Sequence, residues 1–544
     1  MFVVERVARG HRYLYLVESV REGKTVRQRT VKALGRKDAL AASGELDRLA
    51  ASIARHSERS LILSDIDAGR IASRRIGGPL LFGRLWERLG IGEVLTDLLD
   101  GRHFGFPVER AVFVATLHRL FVSGSDRSCF DWMTSYAFEG VDDLALHHFY
   151  RAMAWLGEEL EEKAKGALAP RCVKDVIEEK LFDRRRDLFT DLSLVFVDTT
   201  SLSFYGKGGE TLGRRGHSKD FRPDLAQMIL ALVVDADGRP ICTEMVPGNT
   251  ADVTVLVPVV DRLRARFGIT RACFVADRGM ISADTIAALE ERGMDYILGA
   301  RERSSSVVRD IVLNDDGPMV PLALDRQHGE TQLWVKEVRV GQQCYIVSLN
   351  EAEAKKERAD RQPVIAGLET QLRKGDKALI GNSAYRRYLR KAGKDKSFEI
   401  DAGKLAEEAR FDGISVLRTN TSIPPLQAVI RYRDLLQVEA LFRAAKASFD
   451  TRPIYHQSDA AIRGHVFCSF LALTLAKELT RLCEARDIKP EWQPLLNDLD
   501  RLQQATIEKD GKVVTTRTYA TGQVGNVFKA VGVALPHNVD ERQA

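Results

Sequence analysis

A chain of 544 residues, 44% hydrophobic and 29% charged, has apolar side chains enough for roughly two to four domain cores and the composition of a soluble globular protein rather than a disordered or membrane one. Its seven cysteines are scattered and never at two-residue spacing, which excludes a zinc ribbon and a disulfide framework and indicates a reducing compartment. A formal net charge of +5 suits a nucleic-acid partner without requiring one. The opening MFVVERVARGHRYLYLV carries charges in its first turns and no apolar stretch with a cleavage site. The longest apolar run, VFCSFLALTLA, is far too short to span a bilayer. No membrane partner is expected, and the expected location is the cytoplasm of a prokaryotic cell.

Residues 12–34, RYLYLVESVREGKTVRQRTVKAL, alternate apolar and polar positions around Glu22-Gly23-Lys24 and predict a β-hairpin. Lys24, Arg27, Arg29 and Lys32 on its second half suit a solvated edge strand protected by charge. A helix rich in Ala, Arg and Glu follows, so residues 1–60 form an N-terminal hairpin and helix. Residues 61–188 repeat apolar spacings of three and four, as in PLLFGRLWERLGIGEVLTDLL and PVERAVFVATLHRLFV, and predict a helical domain. Two roles stay open for it: presenting a recognition element to DNA, or capping the domain that follows. No helix-turn-helix signature names base-reading residues.

Residues 189–300 predict the order β-β-β-α-β-α-β. LSLVFVD is a strand that runs into Asp198, and MILALVV and ICTEMVP form a hairpin turned by Asp237-Gly238. VTVLVPVVDRLRARFG is a helix, ACFVAD a strand that ends at Asp277, SADTIAALEERG a helix from Ser282 to Gly293, and DYILGA a strand. One carboxylate at a strand end reads as a turn residue or an N-cap. Two such strands invite a third acid and a shared cation. Residues 301–418 break the pattern with the short strands QLWVKEVRV and QCYIVSL and the charged helix NEAEAKKERADRQ, and predict a strand-containing insertion domain.

The rest of the core and a helical C-terminus occupy 419–544. In RYRDLLQVEALFRAAKASF, Tyr432, Glu439 and Lys446 stand seven apart. A seven-residue step returns within roughly 20° of its start, so all three share one helix face. Taken alone, Glu439 paired with Arg443 at i,i+4, worth about 0.3–0.5 kcal/mol, and a solvated Lys446 account for these residues. Taken with the two strand-end aspartates, a catalytic reading is preferred. The loop GKGGETLGRRGHSKDFRPD after the first strand offers Lys207, Arg214, Arg215, His217 and Lys219 to a DNA backbone, or to solvent. It lacks the Gly-Lys-Ser/Thr ending of a P-loop. His147-His148, and His456 with His465, lack zinc spacing and read as packing residues. Asp220 and Asp224 read as loop residues, and Asp412 before Gly413 as a turn.

The strand order, with acids on the first and fourth strands, resembles the RNase H-like fold, an α/β core in which those two strands are neighbours. The chain further resembles the DDE insertion-sequence transposases whose signature runs Tyr, two residues, Arg, three residues, Glu, six residues, Lys. Tyr432, Glu439 and Lys446 match, whereas Leu435 stands at the Arg position, with Arg433 and Arg443 nearby. TRPIYHQSDAAIRGHVFCSFLALTLA is similar to the segment after that signature, and YLVESVREGKTVRQRT to the N-terminus of one branch.

The resemblance implies metal-dependent cleavage of element ends and strand transfer into target DNA. Asp198, Asp277 and Glu439 would be catalytic and would hold two Mg²⁺ ions, or Mn²⁺. Tyr432, Lys446, Arg443, Arg214, Arg215 and Lys219 would lie along DNA, the terminal inverted repeats and target DNA would be partners, and a homo-oligomer would form on DNA. The alternatives are an RNase H-like nuclease without strand transfer and a catalytically idle DNA-binding protein on the same scaffold.

Overall fold

The computed structural model describes residues 2–8, 10–22, 25–54, 71–161, 169–186, 193–219, 222–301, 303, 305–326, 329–374, 388–392, 397–443, 454–509 and 512–543. The chain divides into one unit of residues 1–72, 505–516 and 539–544 and another of 73–504 and 517–538. In the first, strands β1 (Phe2–Ala8), β2 (His11–Glu22) and β3 (Thr25–Arg36) form an antiparallel meander. The expected hairpin is β2–β3, closed at Glu22↔Thr25, and its turn lies outside the described residues. The sequence reading did not include β1, whose side chains are almost all exposed and therefore show no buried period. Arg29 of β3 pairs with Glu18 of β2, which fits a charged, solvated sheet. Two short helices, Lys37–Ala42 and Glu45–Ala54, follow.

Strand β4 (Ile71–Arg75) leads into the second unit. Among the described residues, six helices then occupy the stretch where spacings of three and four predict them: Gly77–Arg88, Ile91–Leu99, Val108–Phe121, Asp126–Met133, Leu146–Leu156 and Val173–Arg185. Val108–Phe121 is buried on nearly every side and packs against Leu146–Leu156 and the 26-residue helix Asp459–Glu484. The apolar run VFCSFLALTLA is thus a core helix, as its length demands. Among the described residues, no helix is long and apolar enough to cross a membrane.

The sheet is built from β5 (Leu194–Ser203), β6 (Gln227–Asp235), β7 (Pro240–Pro247), β8 (Cys273–Ala276), β9 (Asp295–Gly299), β10 (Val320–Arg326), β11 (Gly329–Val340), β12 (Gln343–Leu349) and, beyond the hairpin β13 (Leu389–Ala392) and β14 (Ser397–Ile400), β15 (Ile414–Thr419). Its spatial order is β10-β11-β12-β15-β9-β8-β5-β6-β7. Strands β5, β8 and β9 run parallel, and β6 and β7 are antiparallel additions beside β5. This is the RNase H-like arrangement, with the first and fourth strands of the core adjacent. Alternate residues of β5 and β6 serve two cores. Phe196, Leu230, Leu232 and Val234 join the helical side. Val195, Val197, Ile229, Ala231 and Val233 face the helices Leu256–Phe267 and Ala283–Glu291. Covered on both sides, β6 is apolar at every position between Gln227 and Asp235, and β5 is apolar from Leu194 to Val197.

The strands of the inserted segment continue the same sheet, because β15 pairs antiparallel with β9 at Leu417↔Gly299 and β12 with β15. Its helix Glu351–Lys374 and the β13–β14 hairpin make a small separate core around Leu368, Tyr388 and Leu389. The helix Pro425–Arg443 then returns across β5, β8 and β9. Local chemistry closes the connections as predicted. Gly238 takes φ +72° in a turn held by Asp235 Oδ1, which accepts from Asp237 N and Arg239 N at 3.1 and 2.8 Å. Ser282 caps its helix by accepting from Thr285 N at 3.0 Å.

Candidate active site

Parallel pairing of β5 with β8 sets Val197 opposite Ala276, so Asp198 and Asp277 are the next positions along two neighbouring strands, whose spacing is ~4.8 Å. Asp198 is half-buried, and its Oδ1 accepts from Thr199 N at 2.7 Å. Asp277 is exposed at the end of β8. Its Oδ1 accepts from Tyr432 Oη at 3.2 Å. Burial first, and then the charges of Asp277 and Asp198, push the Tyr432 phenol well above its ordinary pKa, opposed by Arg278. Tyr432 is therefore a hydrogen-bond donor at every working pH. The approach of this ring requires glycine at 299, where a Cβ would collide with Tyr432 Oη.

Tyr432 lies on the Pro425–Arg443 helix, and position 439 is on the same face two turns further on. The helix includes Glu439 and Arg443, but their side chains, and Lys446 altogether, lie outside the described residues. Leu435, at the signature's Arg position, is 5% exposed and joins the main core. Arg433, two residues before it in the helix, is half-buried.

A further carboxylate stands here that the sequence reading did not single out. Asp252 opens a short 3₁₀ turn before the Leu256–Phe267 helix, and its Oδ2 is 3.1 Å from Lys219 Nζ. Lys219 Nζ also donates to Thr199 O at 2.6 Å and Thr199 Oγ1 at 2.7 Å. Asp252 Oδ2 and Asp277 Oδ2 both border Gly279, at 3.7 and 3.9 Å from where a Cβ would stand. In the sequence, Asp252 precedes an apolar helix and reads as an ordinary helix-start residue; only the fold gives it neighbours.

The Gly-rich loop after β5 is tied down. Asp459, at the start of the Asp459–Glu484 helix, accepts from Glu210 N, Thr211 N and Leu212 N at 3.0, 3.0 and 3.3 Å and from the Thr211 hydroxyl. In return, Asp459 N donates to Glu210 Oε2 at 2.8 Å. Gly209, at φ +82°, passes so close that a Cβ would strike the Asp459 carboxylate. Arg214 braces this turn from within, donating to Gly213 O at 3.0 Å and Glu210 O at 3.1 Å. Lys207, Arg215 and His217 are exposed.

His456 and His465 meet Asp126, with one candidate ligand atom from each residue within 4.8 Å of the others. The buried Arg119 guanidinium already occupies this cluster, 2.9 Å from His465 Nδ1 and 3.5 Å from Asp126 Oδ1. A cation in place beside the carboxylate makes this a buried ion-pair network. His148 stacks on Phe106 at 4.2 Å and accepts from Ala145 N at its helix start, which is packing and capping.

Two family models match the chain: "IS1634 family transposase, N-terminal domain" over residues 3–66 and "Transposase DDE domain" over residues 190–475. No curated protein matches it. The DDE match covers more than half of the 544 residues and runs from just before β5 into the Asp459–Glu484 helix, so it encloses Asp198, Asp277, Glu439 and Tyr432. The chain belongs to the DDE transposase family.

Proposed function

We infer that the chain is the transposase of an insertion sequence and that Asp198, Asp277 and Glu439 are its catalytic acids, cleaving the element's ends and joining them to target DNA. The observation that carries the residue assignment is the parallel β5–β8 register, which makes two distant aspartates neighbours on adjacent interior strands, with the Tyr432 helix reaching Asp277.

The donor set fits a divalent metal: carboxylate oxygens are hard ligands of the kind Mg²⁺ prefers, with Mn²⁺ as a substitute. Asp198 would serve two ions, with Asp277 and Glu439 each completing one site. Bound there, two ions would stabilise the attacking and leaving oxygens of an in-line displacement at phosphorus. The protein's own part is orientation. Thr199 N fixes one oxygen of Asp198, and Tyr432 Oη fixes one oxygen of Asp277, so the carboxylates are held before DNA arrives.

DNA-backbone contacts fall to the exposed Arg214 and Arg215, with Lys207 and His217 in the same loop, and, later in the sequence, to Arg443 and Lys446. A phosphate contact holds register without reading sequence. The element's terminal inverted repeats and target DNA are the partners, and a homo-oligomer on DNA would let two ends be cut together. A cytoplasmic, prokaryotic setting goes with this reading.

The test is cleavage of the element's own ends with Mg²⁺ present and absent, followed by joining to a target plasmid. Metal-dependent cutting that Asp198→Asn abolishes supports the reading. Cutting without joining moves it to a nuclease, and DNA binding with no cutting to an idle DNA-binding protein.

A further inference from the structure

The catalytic strand is braced by a pair of charges that the DDE acids do not include. A lysine ammonium has three donors, and those of Lys219 have three acceptors: Thr199 O at 2.6 Å, Thr199 Oγ1 at 2.7 Å and Asp252 Oδ2 at 3.1 Å. Lys219 N also donates to Ser201 Oγ at 3.1 Å, which fixes the start of the side chain against the same strand. Thr199 in turn gives its N–H to Asp198 Oδ1 at 2.7 Å. The contacts form one line, from Asp252 through Lys219 and Thr199 to Asp198.

We propose that Asp252 and Lys219 are positioning residues for Asp198: Asp252 holds the Lys219 ammonium on Thr199, and Thr199 fixes the orientation of the Asp198 carboxylate. This rests on Asp198 being a catalytic metal ligand. Lys219 is then an internal brace rather than a DNA-backbone contact. With its three donors engaged, it has none to give a phosphate unless it leaves Asp252 or Thr199. Asp252 acts only through that ammonium. Its side chain is 22% exposed and that of Lys219 31%, so water competes for both, and three simultaneous contacts hold the geometry better than one would. Partners of metal-ligating groups set ligand orientation, and their loss costs about 10–100-fold in metal affinity or activity.

The experiment is a double-mutant cycle on the full chain, read by Mn²⁺ titration without DNA and by the salt dependence of DNA binding without metal. Lys219→Met and Asp252→Asn are each expected to weaken Mn²⁺ binding about 10-fold. The double variant should bind no more weakly than either single variant, because one line of contacts is broken in all three. The slope of log affinity against log salt should stay at the wild-type value.

Charge alone predicts the opposite for lysine, since removing a cation beside the acids tightens Mn²⁺ binding. Tighter or unchanged binding in Lys219→Met overturns the proposal. So does a fall of about 1 in the salt slope, the mark of a lost phosphate contact. An Asp252→Asn effect that persists in the Lys219→Met background shows that Asp252 acts on the metal directly, and also overturns it. Should Lys219→Met fail to fold, Thr199→Val removes the hydroxyl acceptor at equal volume and must weaken Mn²⁺ binding in the same direction. Failure of the underlying reading looks different: Asp198→Asn would then bind Mn²⁺ as the wild type does.

Discussion

Tyr432 Oη donates to Asp277 Oδ1 at 3.2 Å, joining a helix and a strand end 155 residues apart in the chain. The raised phenol pKa, caused mainly by burial, keeps the proton on Tyr432, so the bond orients the carboxylate without competing for its charge. Tyr432→Phe is expected to slow single-turnover cleavage about 10-fold while DNA affinity stays at the wild-type level. Lost affinity with unchanged cleavage would instead make Tyr432 a DNA contact.

Gly299→Ala tests the same relationship from the other side. The new methyl would collide with Tyr432 Oη, so the ring must leave Asp277 and the helix carrying position 439 must shift with it. The variant is expected to lose more cleavage than Tyr432→Phe, and Tyr432→Phe/Gly299→Ala to recover part of the difference, because the smaller ring edge relieves the clash. A Gly299→Ala enzyme with wild-type rates would show that the helix does not need this approach.

The three acids should be separable from binding. Asp198→Asn, Asp277→Asn and Glu439→Gln change charge with almost no change of shape, and each is expected to abolish metal-dependent cleavage while the variants still shift DNA in a gel. Any one of them cutting at the wild-type rate removes that residue from the centre. Lys446→Ala is expected to do the reverse: weaker DNA binding, with a salt slope reduced by about 1.

The fold was largely legible because its signals are local. The order of strands and helices over 189–300 follows from short apolar runs bounded by turn residues and from period-3.6 patterns, and Asp198 and Asp277 are visible as carboxylates where those runs stop, although β5 continues past Asp198 to Ser203 and only Asp277 follows a strand's last residue. What could not be read is pairing. β1 is exposed and leaves no buried alternation. The strands of 301–418 look like a separate domain until β15 is seen to pair with β9. Asp252 and Asp459 resemble ordinary helix-start residues; one meets Lys219 and the other closes on Glu210 and Thr211. Partners so far apart in the chain share no periodicity.

The Asp459 clamp carries a stability prediction. Its carboxylate is mostly buried and accepts from three backbone amides and a hydroxyl. Asp459→Ala leaves those donors unmatched, at a cost of ~2 kcal/mol, and frees the loop of Lys207, Arg215 and His217. Chemical denaturation should show the loss, and limited proteolysis should find new cuts between residues 206 and 219. An unchanged midpoint and digest would mean that water satisfies the loop equally well.

Stability should also fall in mild acid for a reason unrelated to Asp198, Asp277 and Glu439. His118 is fully buried in the Val108–Phe121 helix. Burial, and secondarily the Arg119 charge beside it, lowers its pKa from 6.5 to about 3. Above pH 6.5 the ring is neutral in the folded and unfolded chain alike, and it contributes no pH dependence. Between 6.5 and about 3 the unfolded chain binds a proton that the folded chain refuses, so stability falls as pH falls, by up to ~1.4 kcal/mol per unit, and the effect levels off below that window. From pH 7 to pH 5 the His118 contribution is about 2 kcal/mol. His118→Gln cannot titrate and should lose correspondingly less over the same interval, whatever its stability at pH 7. Urea titrations of both proteins at the two pH values read the difference directly. Parallel losses would mean that His118 takes up its proton in the folded state and that the Arg119 neighbourhood is more open to water than its packing indicates.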